Sequence, residues 1–249
     1  RGITCTQGEP ASTLISGFVI QNCHTGGGGG GFLISFSSPT ISNCKILNNS
    51  ANTGGGVQAE YCNSTWIDCE FQGNSVNTDG GGAFIKNECD IAMTGCTFTG
   101  NSGGYDGGAI RVLENSSLDI SASIFEGNSV TGGNGRGGAI QVQNTSTLNA
   151  ALCEFNNNYS AQDGGAIEIS SNGINIVTLN ECTFTNNAAN LGGGIQQWGG
   201  QLSIDDCEFN GNSAVHDGGA VRTQGAGTTT TINSSSFSGN VAGSHGGAM

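Results

Sequence analysis

Short runs in which apolar and polar residues alternate recur along the whole chain. Ile110-Arg111-Val112, Ile140-Gln141-Val142 and Ile167-Glu168-Ile169 each set two apolar side chains on one face and a polar one on the other. That period of two predicts half-buried strands. Some six to eight residues later a second run follows, as in Leu118-Asp119-Ile120 and Leu202-Ser203-Ile204. A third run surrounds a phenylalanine in segments of the form Cys-x-Phe.

These runs are punctuated at regular intervals. A tetrad Gly-Gly-[Ala/Gly]-apolar occurs nine times, ending at Phe32, Val57, Phe84, Ile110, Ile140, Ile167, Ile195, Val221 and Met249, with steps of 25 to 30 residues. Between tetrads lies a second motif, [Cys/Ser]-x-apolar-x-x-Asn. Its apolar member is Ile46 and then Phe71, Phe98, Phe125, Phe155, Phe184, Phe209 and Phe237. Its last member is Asn49, Asn74, Asn101, Asn128, Asn158, Asn187, Asn212 and Asn240. Two motifs sharing one drifting period identify a solenoid. Three short strands per repeat describe an all-β parallel β-helix of about eight coils of 25–30 residues. At a strand spacing of ~4.8 Å, eight coils make a rod of roughly 38 Å.

The repeated residue types have mechanical reasons. The phenylalanines form an inward stack from coil to coil. Each asparagine falls at a bend, where its amide can bond to the asparagines above and below. The glycine pair turns a tight corner. The longest insert, Ser129 to Arg136, predicts a protruding loop.

Composition sharpens this picture. The chain of 249 residues contains 45 Gly and only two Pro, and 10% of it is charged. Collagen is excluded because Gly does not recur at every third position. Helical bundles are excluded by the dominance of Gly, Asn, Ser and Thr. Six basic residues against 19 acidic ones give a net charge of −13, so a nucleic-acid partner would be repelled. No apolar run is long enough for a membrane span. A Lys-poor, acidic surface fits an extracellular setting.

Ten cysteines invite a disulfide reading. Cys44, Cys69, Cys96, Cys153, Cys182 and Cys207, however, share their slot with Ser123 and Ser235, which suggests a small inward residue; buried thiols and vertical pairing both remain open there. Cys62 and Cys89 each lie five residues after a tetrad's apolar member, which sets them on adjacent coils as the best disulfide candidate. Cys5 and Cys23 have no assigned partner, and no Cys/His spacing suits zinc.

The search for chemistry yields few candidates. Arg111, Glu168 and Arg222 point outward on the first strand, but no coherent acid pair faces either arginine. Glu70, Glu154 and Glu208 on the third strand never fall on adjacent coils. Glycoside hydrolysis needs two carboxylates ~5–9 Å apart, which only corners or loops can supply. Asp79, Asp106, Asp163 and Asp217 recur just before Gly-Gly. Adjacent Asp79 and Asp106 form a candidate calcium site with backbone carbonyls; the competing reading is that each Asp caps its own turn. No other cofactor is implied. His216, Asp217 and His245 lie on neighbouring corners within reach of a metal. Sequons mark Asn48, Asn63, Asn115, Asn144 and Asn233 for glycosylation, and a sixth falls on Asn158 of the ladder.

The runs Ser37-Ser-Pro-Thr-Ile-Ser-Asn-Cys-Lys-Ile-Leu-Asn-Asn-Ser-Ala51 and Cys207-Glu-Phe-Asn-Gly-Asn-Ser-Ala214, each followed by Gly-Gly, resemble the right-handed parallel β-helix repeats of bacterial surface proteins. The polymorphic outer-membrane proteins, with Gly-Gly-Ala-Ile and Phe-x-x-Asn motifs, are the most similar. The resemblance covers essentially the whole chain and implies a right-handed solenoid at the cell surface. It implies no particular activity. Residues 1–249 read as a single β-helix domain, a segment of a longer solenoid or one that stacks end to end with copies of itself. The resulting expectation is a non-enzymatic extracellular structural protein: a surface stalk, adhesin or filament whose partners are its own copies, surface glycans or cell-surface proteins. The alternatives are a polysaccharide lyase or hydrolase of the pectin-lyase-like fold, or a glycan-binding module.

Overall fold

Every residue from 1 to 249 is described in the computed structural model, which contains 35 strands and no helix. The strands form four sheets, all paired in parallel, and each sheet takes one strand from each successive coil. Three sheets have nine strands and the fourth has eight, so the chain winds through nine coils. In the coil that starts at Gly164, the first strand is Ile167–Ile169, the second Ile176–Asn180 and the third Thr183–Thr185. The fourth, Ala188–Ala189, has only two residues. Three strands per coil were expected; the fourth is too short to show alternation in the sequence.

Local chemistry sets the corners. Gly164 has a φ of 63°, in the left-handed region, and a Cβ on Gly165 would collide with the carbonyl oxygen of Gly193 in the next coil. Only glycine allows two coils to approach this closely. Between the core apolar residue of the third strand and the ladder asparagine the chain again passes through the left-handed region. That position holds Asn48, Gly73, Gly100, Gly127, Asn157, Asn186, Gly211 or Gly239, the two residue types that tolerate it best.

The interior is a continuous apolar column of 47 buried residues. Phe71, Phe98, Phe125, Phe155, Phe184, Phe209 and Phe237 stack with ring centroids 4.5–4.9 Å apart and planes within 4–6°. That interval equals the parallel-strand spacing of ~4.7–4.9 Å, so backbone pairing and ring stacking share one repeat. Beside the rings runs the asparagine ladder. Asn128 Oδ1 accepts from both the backbone N–H and the Nδ2 of Asn101 at 3.0 Å. Asn128 Nδ2 donates to the Phe98 carbonyl at 2.8 Å and to Asn158 Oδ1 at 3.0 Å. Its buried amide is thus fully used. In the first coil Cys23 takes the ladder position, its N–H donating to Asn49 Oδ1.

Register corrects two expectations. Val57 pairs with Ala83, and Ala83 with Ile110, so the structural tetrad is Gly80-Gly81-Gly82-Ala83. Phe84 therefore points away from the core, aligned with Gln58 and Arg111. A third consecutive glycine allowed the motif to be read one residue late. Second, the predicted loop Ser129–Arg136 is smaller than expected: Ser129–Val130 is a strand of the fourth sheet, and Arg136 bridges to both Asp106 and Asp163. Only the residues between them leave the wall.

Candidate functional site

Outward positions of the first sheet form a single row through the coils: Gln58, Phe84, Arg111, Gln141, Glu168, Gln196 and Arg222. Alternation alone puts these side chains in solvent. Instead Gln58, Phe84, Gln141, Glu168 and Gln196 are buried. The cover comes from the corner before the strand and the turn after it. Asp79, Asp106, Arg136, Asp163 and Leu191 form one bridged row along the corner. From the far side of the strands, Trp198 Nε1 donates to Asp163 Oδ2 at 3.1 Å.

Charges in this strip are paired closely. Arg111 bonds Asp79 at 2.6 Å and Asp106 at 3.1 Å. It also donates to Gln141 Oε1 at 3.0 Å and Gln143 Oε1 at 2.6 Å, and it lies over the Phe84 ring. The expectation that no acid pair faces Arg111 is therefore corrected, because the pair comes from the corners rather than from the strand faces. Asp79 and Asp106 lie on adjacent coils, and both carboxylates pair with the Arg111 guanidinium. No group of three or more His, Cys, Asp or Glu side chains converges anywhere on the molecule. Burial pushes the Asp79 and Asp106 carboxyls above their ordinary value, against the pull of Arg111. Further along, Arg222 lies 5.3 Å from the Trp198 ring centroid and 3.6 Å from Asp217. His245 Nδ1 sits 3.0 Å from Asp217 Oδ1, while His216 is exposed without joining them.

Arg136, Asp163, Glu168, Ser170, Ser171 and Trp198 surround a cleft of about 260 Å³. Glu168 is fully buried at its floor, accepting from Ser170 Oγ at 3.2 Å. Loss of hydration pushes its carboxyl up to about 8, so it is uncharged at neutral pH. Asp163 is also raised by burial, and its Oδ1 is the one buried side-chain oxygen or nitrogen in the molecule without a hydrogen-bond partner. Sequence reasoning considered Glu168 and Asp163 separately and did not join them. The available signal was the unusual row of long polar side chains where a solvated strand face would carry Ser or Thr.

The ten cysteines are free thiols in this structure. Cys62 Sγ and Cys89 Sγ lie 3.2 Å apart, both buried. Each stands three residues before a registered pair, Thr65 and Ala92. Their column continues as Ser116, Ser146 and Asn175, whose side-chain oxygens accept backbone N–H groups from the preceding coil. The same logic governs the Cys44 slot: Ser123 Oγ accepts the Cys96 N–H, and Ser235 Oγ accepts the Cys207 N–H. Among the sequons, Asn48, Asn63, Asn115 and Asn233 are exposed and Asn144 is half-buried, whereas Asn158 is sealed in the ladder.

The family described as right handed beta helix region matches residues 31–204. The Chlamydia polymorphic membrane protein repeat matches residues 206–224. The first match spans well over half of the chain, which therefore belongs to the right-handed β-helix family. No curated protein and no solved structure matches it.

Proposed function

We propose that this chain is a non-enzymatic, extracellular structural β-solenoid, a stiff stalk that forms part of a cell-surface protein. The observation that carries the reading is the pair of unbroken ladders. Seven stacked phenylalanines and eight bonded asparagines run through successive coils with a single repeat. Such a column resists bending and shear, because every coil is tied to the next by backbone, ring and amide contacts at once. The match to a polymorphic membrane protein repeat supports a place at the cell surface. The acidic balance of the chain, with only two lysines, agrees with it.

Incubating the purified chain with a panel of neutral and acidic polysaccharides, with and without calcium, tests the non-enzymatic part. The proposal predicts no new reducing ends and no unsaturated products. Sustained release of either, abolished by Glu168→Gln, would make the protein a carbohydrate-processing enzyme instead.

A further inference from the structure

Asn-Gly pairs occur at Asn134-Gly135, Asn172-Gly173 and Asn210-Gly211. In such a pair the glycine nitrogen can attack the amide carbon of the asparagine, because no side chain on the second residue screens the approach. The fold demands glycine at each place. Gly173 and Gly211 have φ of 80° and 66°, and a Cβ on Gly135 would run into Val130. The dipeptide therefore ranks the three sites equally, and hydrogen bonding separates them. The Gly135 N–H donates to the Gly132 carbonyl at 2.8 Å, and the Gly211 N–H donates to the Ser238 carbonyl of the next coil at 2.9 Å. The Gly173 N–H donates to no protein group. It lies in the turn between strands Ile167–Ile169 and Ile176–Asn180, with Asn172 and Ile174 exposed on either side. At Asn172 the nucleophile and the amide it attacks are both in water. At the other two sites the nucleophile is withheld until the coil opens locally.

We propose that Asn172 is a self-modification site, converted without an enzyme into aspartate and isoaspartate. The Gly173 nitrogen forms a bond to Asn172 Cγ, and the side-chain nitrogen leaves as ammonia, carrying away the Gly173 proton. The resulting succinimide ring is opened by water. Attack at the side-chain carbonyl gives aspartate, and attack at the main-chain carbonyl gives isoaspartate. The sum consumes one water and releases one ammonia. Either product gives the turn a negative charge, and isoaspartate also lengthens the main chain by one carbon. The Asn172 carbonyl is an anchor for its surroundings: it accepts from the Asn144 N–H of the preceding coil at 2.9 Å and from Asn175 Nδ2 at 3.2 Å. Asn175 is buried, and its Oδ1 accepts the Ser146 N–H at 3.0 Å. The modification therefore loosens one turn on the wall of the solenoid, while the phenylalanine and asparagine columns occupy other slots and stay closed. The inference does not depend on the stalk reading, because it concerns one exposed turn.

The full chain is aged in mildly alkaline buffer at physiological temperature, natively folded and in parallel in urea, then digested and mapped by mass spectrometry. Enzymatic methylation of isoaspartate marks that product. The readout is the ratio of native to urea conversion rate at each Asn-Gly pair, which cancels the chemistry common to all three. The ratio at Asn172 should exceed those at Asn134 and Asn210 by at least about threefold, the margin that one backbone hydrogen bond provides. Isoelectric focusing of the native chain should show a more acidic band that grows with time. In Asn172→Gln, whose longer side chain must close a larger ring, that band should grow more slowly, while circular dichroism shows the solenoid intact. The proposal is overturned if Asn172 stays unchanged in the folded chain, if its ratio equals or falls below that of Asn134 or Asn210, or if the acidic band grows equally fast in Asn172→Gln.

Discussion

Glu168 illustrates how position in a repeat can override residue type. On an outward strand position it would be an ordinary surface carboxylate, yet the corner residues of its own coil and Trp198 of the next enclose it. Its folded-state value of about 8 stands above the ordinary 4.5, so the native state binds a proton that the unfolded chain releases. The stability linked to this group is fully present below about 4.5 and is lost as the pH rises through about 8. Thermal midpoints measured across that window should fall with pH in the parent chain. Glu168→Gln, which imitates the protonated acid, should flatten the curve, and equal slopes would contradict the assignment. Asn128 makes the complementary point for a neutral group. Asn128→Ala leaves the Asn101 N–H and the Phe98 carbonyl without their partner, which should destabilise the chain by about 2–3 kcal/mol in urea unfolding. A change well under 1 kcal/mol would mean that water replaces the amide.

Among elements, the first three sheets were readable because alternation and the two motifs coincide in them. Tetrad spacing located the corners, and the [Cys/Ser]-x-apolar-x-x-Asn motif located the third strand and the bend after it. Two features escaped for definite physical reasons. Strands of two residues, such as Ala188–Ala189, have no period to detect. The cover over the first sheet was invisible because it depends on which corner side chains turn back across the strands. Asp79, Asp106 and Asp163 have equivalent places in the repeat, but the first two bond Arg111 while the third bonds Trp198. Adjacent coils also bring Cys62 and Cys89 into contact. Incubation with oxidised glutathione should join these two sulfurs in one disulfide, reducing the oxidant to two glutathione thiols and releasing no other product. Peptide mapping should recover Cys62 linked to Cys89, with a gain of about 3.5 kcal/mol against unfolding for a loop of this length. Recovery of both as free thiols after full equilibration would show that the backbone cannot bring them into bonding geometry.

Across the whole molecule, each coil touches only its neighbours, so stability is a sum of coil terms and interface terms. Removing one ring from the middle of the column breaks two stacked interfaces at once. Phe155→Ala, between Phe125 and Phe184, should cost about 3–5 kcal/mol. Phe237→Ala, at a half-buried ring stacked on Phe209 alone, should cost clearly less. Equal losses at the two sites would argue against the additive column. A rod built this way carries its exposed chemistry on its sides, where an acidic, lysine-poor wall and the Trp198 cleft face outward. The most direct test is protease shaving of intact cells that express the native protein, followed by mass spectrometry of the released peptides. The stalk reading predicts peptides of this chain from unlysed cells, at yields like those of known surface proteins. Recovery of these peptides only after lysis, alongside cytoplasmic markers, would contradict it.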